Sequence, residues 1–217
     1  MKKKKAIKET VEAIVIALVL ALIIRTFVIQ AFKIPSSSME STLLVGDHIL
    51  VSKLTYGIQI PKPGMTHVWG VKIPFFTTTL KPIWGKPKFG DIIVFRFPGD
   101  RAKDYIKRVI GVEGDVVEAK NKRVYVNGKA VDDTSFAQHV DTAVFPRSMD
   151  PRDNFGPFKV PKDTVFVMGD NRDRSYDSRY WGTVPLHEIK GRAKIIYWSW
   201  NSESHWPRFG RIGDLIH

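Results

Sequence analysis

The sequence contains no cysteine among its 217 residues. This absence excludes a disulfide framework, a thiolate nucleophile and any zinc or iron–sulfur site that depends on cysteine ligands. The G-x-S-x-G motif that presents a serine nucleophile in many hydrolases is also missing. With 43% apolar and 26% charged residues, the composition is nevertheless that of a packed globular protein.

Acidic residues are few relative to basic ones. Lys and Arg number 34 against 22 Asp and Glu, which gives a net charge of +12. Residues 1–35 hold seven basic and two acidic residues, so +5 lies there and +7 on the rest of the chain. A nucleic-acid-binding module would account for the +7, but the basic residues are interleaved with acidic ones and no recognised motif is present. We therefore expect no nucleic acid as a partner.

Long apolar runs are equally scarce, and the one present is Ala13–Ile24. Its lysine-rich flank and short length are typical of a cleaved signal peptide, but a small-residue cleavage site does not follow it. Taken as one helix, Val11–Phe32 measures about 33 Å, which is enough to span a bilayer core. We predict a membrane anchor over residues 11–32, with residues 1–10 held in the cytoplasm by their lysines and residues 33–217 outside.

The remainder of the chain reads as β-strands separated by turn residues. Strand-like runs occur at residues 48–56, 91–97, 104–111, 164–168 and 193–199. The dipeptide Asn127-Gly128 between two short β-rich runs predicts a type I′ hairpin. Residues 61–90 are rich in Pro, Gly and Trp and are predicted to form a long surface loop. We expect a mainly β domain behind one N-terminal transmembrane helix.

A serine-rich segment, residues 36–41, follows the predicted anchor directly. Ser37 and Glu40 fit a capping box, which favours an ordinary helix start. Alternatively, Ser38 is a nucleophile, but a serine hydroxyl is weak without a base to activate it. No lysine stands three residues after Ser38, so Ser-x-x-Lys chemistry does not apply. The sequence must supply the base from elsewhere.

Lys107 is the candidate base, because none of the six histidines lies in a recognisable triad motif. It lies within an otherwise apolar strand, on the same face as Tyr105 and Val109. The alternative is a lysine whose stem follows the sheet edge and whose ammonium stays in water. Half-deprotonation of this lysine at pH 7 means a fall of about 3.4 units in its pKa, a shift that full burial can provide.

A third notable segment, residues 169–182, is dense in charge. Its acidic residues suggest a calcium loop, but Asp170, Asp173 and Asp177 are matched in number by three arginines, Arg172, Arg174 and Arg179. A loop of no net charge is a poor site for a cation. We predict instead an interlocked set of ion pairs and hydrogen bonds that holds a turn rigid beside a functional site.

Taken together, these segments resemble the bacterial type I signal peptidases, also called leader peptidases. The resemblance covers nearly the whole chain from the anchor to the C-terminus. It depends on three blocks: Ser-Ser-Met-x-x-Thr-Leu at residues 37–43, Asp-Tyr-Ile-Lys-Arg-Val-Ile-Gly at residues 104–111, and Gly-Asp-Asn-Arg-Asp-x-Ser-x-Asp-Ser-Arg at residues 169–179. One position departs from the family pattern, since Ser41 stands where the family usually has proline.

The resemblance implies a role for each matching residue. Ser38 is the nucleophile and Lys107 the general base, while the Ser36 hydroxyl and the Ser38 backbone N–H form the oxyanion hole. Ser175 orients the lysine amine, and Asp177 and Arg179 brace the site. Shallow pockets for small substrate side chains are expected from five apolar residues: Ile34, Met39, Leu43, Tyr105 and Ile106.

The implied activity is removal of signal peptides from exported preproteins by cleavage after a small-x-small motif, without metal or cofactor. The resemblance also implies coiled antiparallel sheets and a variable insertion at about residues 121–161. The expected partners are preproteins and the lipid bilayer. The expected location is the cytoplasmic membrane, with a single span and the catalytic domain on the outer side. A secreted or membrane-tethered β protein that binds without catalysis remains the alternative.

Overall fold

The computed structural model describes residues 2–56, 61–68, 71–78 and 85–217. Its first element is helix α1, Lys2–Phe27. The 21 residues Ile7–Phe27 are long and apolar enough to cross a membrane, since they extend for about 32 Å. The large apolar side chains from Ile7 to Ile24 are exposed in the part of the chain that the structure describes, so α1 fits a single membrane span.

The helix ends at Phe27, five residues before the predicted end at Phe32. Residues Ile29–Lys33 form strand β1, which pairs antiparallel with β2, Asp47–Ser52. Pairing with β2 satisfies the backbone groups of this segment outside a helix. The predicted span of residues 11–32 is therefore wrong at its C-terminal end.

The other strands complete a fold that is mainly antiparallel β. Their bounds are β3 Pro61–Val68, β4 Val71–Thr78, β5 Ile92–Phe97, β6 Asp100–Val112, β7 Val116–Lys120, β8 Arg123–Val126, β9 Lys129–Ala130, β10 Phe155–Lys159, β11 Thr164–Met168, β12 Val184–Pro185, β13 Ile189–Asn201 and β14 Trp206–Pro207. A short helix α2, Ser178–Trp181, and 3-10 turns at residues 37–39, 172–174, 186–188 and 209–211 lie between them.

Eight strands build the main sheet, in the order β1-β2-β13-β5-β6-β11-β12 with β14 paired to β13. The pairings of β13 with β2 and β5, and of β6 with β5 and β11, contain register shifts. Such bulges bend strands and increase their twist. The prediction of a mainly β fold with antiparallel sheets behind one N-terminal helix is confirmed.

A second, four-stranded sheet has the order β10-β7-β8-β9. The β8–β9 hairpin turns at Asn127 and Gly128, whose φ angles of 53° and 76° are both positive, as the predicted type I′ turn requires. A turn of the same kind, which we did not predict, joins β7 to β8 at Asn121 and Lys122. Three of the four strands fall in residues 121–161, and that this segment is a variable insertion stays a prediction.

The predicted loop at residues 61–90 is wrong in part, because β3 and β4 form a two-stranded sheet there. The prediction of a loop depended on composition, in which prolines such as Pro63 and Pro74 count against a strand. Proline is tolerated in such strands because each has a free edge. The rest of the predicted loop up to residue 84 lies outside the described residues.

Among the described residues, three apolar clusters form the core. The first joins Ile34, Met39 and Leu43 to buried residues of β2, β5 and β13. It therefore lies directly beneath the 3-10 turn that carries Ser38 and fixes that turn to the main sheet. The second cluster lies around β5, β6 and β11, and the third lies at the second sheet.

Candidate active site

Ser38 lies in a short 3-10 turn, Ser37–Met39, that follows β1. The side chain of Met39 is fully buried in the first core cluster, and the backbone N–H of Leu43 donates to the Met39 carbonyl at 2.8 Å. Ser38 itself is 8% exposed. Burial of the neighbouring methionine thus holds the serine hydroxyl at a fixed place on the sheet.

The capping-box interpretation of this segment is wrong. The turn has Ser36, not Ser37, at its N-cap, and no side chain makes a capping hydrogen bond there. The Glu40 carboxylate instead accepts a hydrogen bond from Nδ2 of Asn171 at 3.3 Å. The segment therefore connects to a distant loop rather than closing a regular helix.

Lys107 projects from β6, in the interior of the main sheet, and its Nζ lies 2.6 Å from Oγ of Ser38. The lysine is only 4% exposed. This placement contradicts the alternative of a stem along the sheet edge with its ammonium in water. The two residues that stand 69 positions apart in the sequence are thus in direct hydrogen-bond contact within a buried site.

The environment of Lys107 favours its neutral form. The pKa of Lys107 is lowered from 10.5 to about 8, mainly by burial and in smaller part by the nearby Arg179, while Asp177 and Asp170 partly oppose the shift. A fall of this size corresponds to a cost of about 3 kcal/mol for holding the protonated amine in the site. An amine with a pKa near 8 can act as a base close to neutral pH.

Residues 169–179, called the site loop below, pack against the 3-10 turn Ser37–Met39, which is called the serine turn. The backbone N–H of Asn171 donates to the Ser38 carbonyl at 3.2 Å. The Ser175 hydroxyl accepts from the Gly169 N–H at 3.1 Å and also bonds the Asp177 carboxylate. The described hydrogen bonds of Ser175 therefore hold the loop together, and its predicted role in orienting the lysine amine stays a prediction.

Asp177 and Arg179 form a buried bidentate ion pair, with nitrogen–oxygen distances of 2.9 and 2.8 Å. Burial alone raises the pKa of Asp177, but Arg179, Ser175 and the Gly169 N–H outweigh it and hold that pKa below its usual value. Arg179 also donates to the carbonyls of Arg152 and Arg172. The pair therefore fixes both ends of the site loop.

Other charged residues of the site loop pair with residues outside it. Asp170 pairs with Arg108, Asp173 with Lys122 and Arg152, and Arg172 with Asp133. The partners come from β6 and from the segment between β7 and β10, so the ion pairs connect the loop to both sheets. Composition shows that the acidic and basic residues of the loop are equal in number, but it does not show which of them form ion pairs.

Two residues that connect the parts of the site were not predicted from the sequence, Arg108 and Thr42. Arg108 binds the Asp170 carboxylate through Nε and Nη2, both at 2.8 Å, and donates to the His217 carbonyl. The Thr42 hydroxyl donates to the same carboxylate at 2.6 Å. Asp170 thereby joins the serine turn to the lysine strand. An arginine beside Lys107 in an apolar strand was the available signal.

The five apolar residues expected to bind substrate are divided by the structure. Ile34, Met39 and Leu43 are buried in the core beneath the serine turn. Tyr105 and Ile106 are half-buried; Tyr105 stacks on the Phe97 ring with 4.5 Å between centroids.

Ser36, the predicted second oxyanion donor, is exposed at the N-cap. Among the described residues, no three His, Asp or Glu side chains are grouped to hold a metal ion.

Comparison with known proteins gives concordant matches. The family model for signal peptidase, peptidase S26, matches residues 7–198. Signal peptidase I of Pseudomonas fluorescens is 37% identical over 90% of this chain and 75% of that protein. Signal peptidase I S of Bacillus subtilis is 37% identical over 92% of this chain and 93% of that protein. A crystal structure of signal peptidase I from Enterococcus faecalis is 30% identical, covers 49% of this chain and 96% of that chain, and gives a TM-score of 0.39.

Proposed function

Because this chain belongs to the signal peptidase family, peptidase S26, and is therefore a hydrolase that removes signal peptides, we propose that Ser38 is its nucleophile and Lys107 its general base. Family membership overturns the alternative of a β protein that only binds. The proposal rests on one observation, the contact of 2.6 Å between Lys107 Nζ and Ser38 Oγ in a buried site.

The neutral Lys107 amine accepts the Ser38 hydroxyl proton as Oγ attacks the scissile carbonyl. The resulting ammonium then protonates the leaving amine, which departs and leaves an acyl-enzyme on Ser38. The Lys107 amine, neutral again, takes a proton from a water molecule as that water attacks the acyl carbonyl. It then returns the proton to Ser38 Oγ as the ester bond breaks, which frees the acyl product as an acid and restores both residues. The pKa of about 8 supports this cycle, because both forms of the lysine are accessible near neutral pH.

The oxyanion of each tetrahedral intermediate is stabilised by the Ser38 backbone N–H and the Ser36 hydroxyl. Ser36 precedes the 3-10 turn and its side chain makes no capping hydrogen bond, which supports its availability as a donor. Loss of one such donor costs about 3 kcal/mol in comparable hydrolases. Ser175, Asp177 and Arg179 hold the site loop against the turn that presents both groups.

The substrate is a preprotein cleaved after a small-x-small sequence. Ile34, Met39 and Leu43 already fill the space beneath the serine turn. Little depth then remains for substrate side chains next to Ser38, which supports a preference for small ones. Ile106 packs against that same cluster, and the centroid of the Tyr105 ring lies 5.6 Å from Lys107 Nζ. Both residues are proposed to complete the shallow pockets.

The anchor places this chemistry at the membrane. Helix α1 fits a single span, and the cluster Lys2–Lys5 favours a cytoplasmic N-terminus. The catalytic domain then lies on the outer face, where the cleavage sites of translocated preproteins emerge. Enzyme and substrate thus meet in two dimensions at high effective concentration.

The test is cleavage of a preprotein by variants of the full chain in proteoliposomes. We expect Ser38→Ala and Lys107→Met each to lower kcat/KM by about a thousandfold or more. The neighbouring serine and an exposed lysine of the same strand provide matched controls, Ser37→Ala and Lys103→Met, which we expect to keep activity. Full activity in either dyad variant would refute the assignment.

A further inference from the structure

The membrane helix joins the catalytic sheet with almost no linker. Helix α1 ends at Phe27, and the single residue Val28 separates it from β1, Ile29–Lys33. The Val28 N–H still donates to the Ile24 carbonyl at 2.8 Å, so Val28 continues the helical hydrogen bonding. Strand β1 spans about 17 Å, and the serine turn follows it. The direction of α1 is therefore transmitted to Ser38 through one short strand.

Lys53, just after β2, bonds this junction at three points. Its backbone N–H donates to the Val28 carbonyl at 2.9 Å. Its Nζ donates to the carbonyls of Arg25, at 3.3 Å, and Thr26, at 3.0 Å. The last carbonyls of a helix have no partner within it, and a lysine ammonium satisfies them and interacts favourably with the helix dipole. Lys53 thus closes the end of the membrane helix from the side of the sheet.

The surroundings of the Lys53 side chain oppose a positive charge on its amine. Burial lowers the pKa of Lys53, and the nearby cations Lys190 and Arg25 lower it further. Lys190 has a separate partner, since its Nζ lies 2.7 Å from Asp104. Among the described residues, the hydrogen-bond acceptors recorded for the Lys53 ammonium are the helix carbonyls of Arg25 and Thr26. The contact is therefore a built junction rather than a side chain lying loosely in solvent.

We propose that Lys53 is a positioning residue that sets the angle of the membrane helix to the catalytic sheet and thereby the height of Ser38 above the bilayer. The inference rests on the proposed function, in which Ser38 attacks a preprotein held in the same membrane. The scissile bond of such a substrate lies at a fixed distance from its own membrane-embedded segment. An enzyme whose nucleophile has a fixed height reaches that bond, whereas a short soluble peptide can diffuse to Ser38 at any height.

The kinetic test compares two substrates in proteoliposomes, a membrane-inserted preprotein and a short soluble peptide with the same cleavage sequence. We expect Lys53→Met to lower kcat/KM on the preprotein by roughly fivefold to tenfold, the scale of a charge interaction at a helix end. Cleavage of the peptide should change by less than about twofold. Lys53→Arg, which keeps a cationic donor, should restore most of the loss, and Lys190→Met, which removes a neighbouring cation, should not reproduce it.

A second test measures the geometry without activity. Because the chain has no cysteine, spin labels can be placed by two substitutions at exposed positions, Leu22→Cys in α1 and Met149→Cys in the domain. We expect a narrow distance distribution in the otherwise native chain and in the Lys190→Met background. In the Lys53→Met background the distribution should broaden or shift.

Equal losses on both substrates, or an unchanged distance distribution in Lys53→Met, would overturn the positioning role. Neither result bears on the dyad. If peptide cleavage persists in Ser38→Ala, the proposed nucleophile fails, but the distance measurement still tests Lys53. The two proposals are therefore separable.

Discussion

Gly169 lies against the backbone of Ser38 so closely that no side chain fits between them. A Cβ placed on Gly169 would stand 2.3 Å from the Ser38 carbonyl oxygen and 2.3 Å from Oγ of Ser175. Non-bonded atoms do not approach this closely, so the site loop can lie against the Ser38 carbonyl at this point only because residue 169 is glycine. The glycine is thus part of what positions the nucleophile.

We therefore expect Gly169→Ala to separate the loop from the serine turn. Activity on a short peptide should fall by about a hundredfold, because a displacement of roughly 1 Å at a reacting atom has this effect. Gly210→Ala is the matched control, since a Cβ there meets no atom within 4 Å. Normal peptide cleavage by Gly169→Ala would show that the close packing is dispensable.

Ser41 provides a test of the turn itself. Its φ angle is 96°, a conformation that favours glycine, and its side chain is exposed. We expect Ser41→Gly to raise the unfolding free energy by up to about 1 kcal/mol, because the strain is relieved and no contact is lost.

Ser41→Pro should have the opposite effect. The proline ring fixes φ near −65°, so the family's usual proline does not fit the turn as this chain forms it. We expect lower stability and lower activity, both measured on the detergent-solubilised full chain. A proline variant as stable as the native chain would mean that this turn readily adopts another conformation.

Lys107 should make the folded state less stable at neutral pH. Its pKa is about 8 in the folded chain against 10.5 ordinarily, so between these values the unfolded chain binds more protons. The unfolding free energy then rises with pH from about 8 to 10.5, and the full penalty of about 3 kcal/mol applies below pH 8.

Replacing the lysine removes this penalty. We expect Lys107→Met to be more stable than the native chain at pH 7 by roughly 2 to 3 kcal/mol, with the difference shrinking towards pH 10.5. Denaturant unfolding at the two pH values measures it. A difference that does not vary with pH would argue against a depressed lysine pKa.

Asp170 connects stability to the titration of the lysine. Asp170→Asn leaves the buried Arg108 guanidinium without its charged partner, which costs about 3 to 5 kcal/mol in comparable sites. It also removes a charge that raises the pKa of Lys107, so the acid limb of the pH–rate profile should move to lower pH. Asp100→Asn, at an exposed pair with Lys103, should change neither quantity.

Local patterns explain what the sequence could predict. The turn at Asn127 and Gly128 requires positive φ at two adjacent residues, and this requirement is visible in the dipeptide itself. The apolar β-rich runs predicted most strands of the main sheet, because this pattern is likewise visible in consecutive residues. The blocks around Ser38 and Lys107 could be connected to each other only through the family resemblance.

Contacts between distant residues explain what was missed. Nothing near Asp170 in the sequence indicates that Arg108, 62 positions away, is its partner. Residues 29–32 follow the apolar run directly and were therefore assigned to the membrane helix, but their pairing with β2 makes them a strand. Apolarity likewise could not distinguish Ile34, which is buried in the core, from Ile106, which retains an exposed surface.

The most direct test of the Ser38–Lys107 dyad is the pH dependence of kcat/KM for a short peptide, which reports the free enzyme's essential base. Lysine must be neutral to accept the serine proton, so activity should be low in acid and rise through an apparent pKa of about 8. The proposed mechanism predicts this rise, the acid limb of the pH–rate profile, at about pH 8 in the native chain and at lower pH in Asp170→Asn. A limb near 10.5, or one near 6.5 that indicates histidine, would contradict a buried lysine as the base.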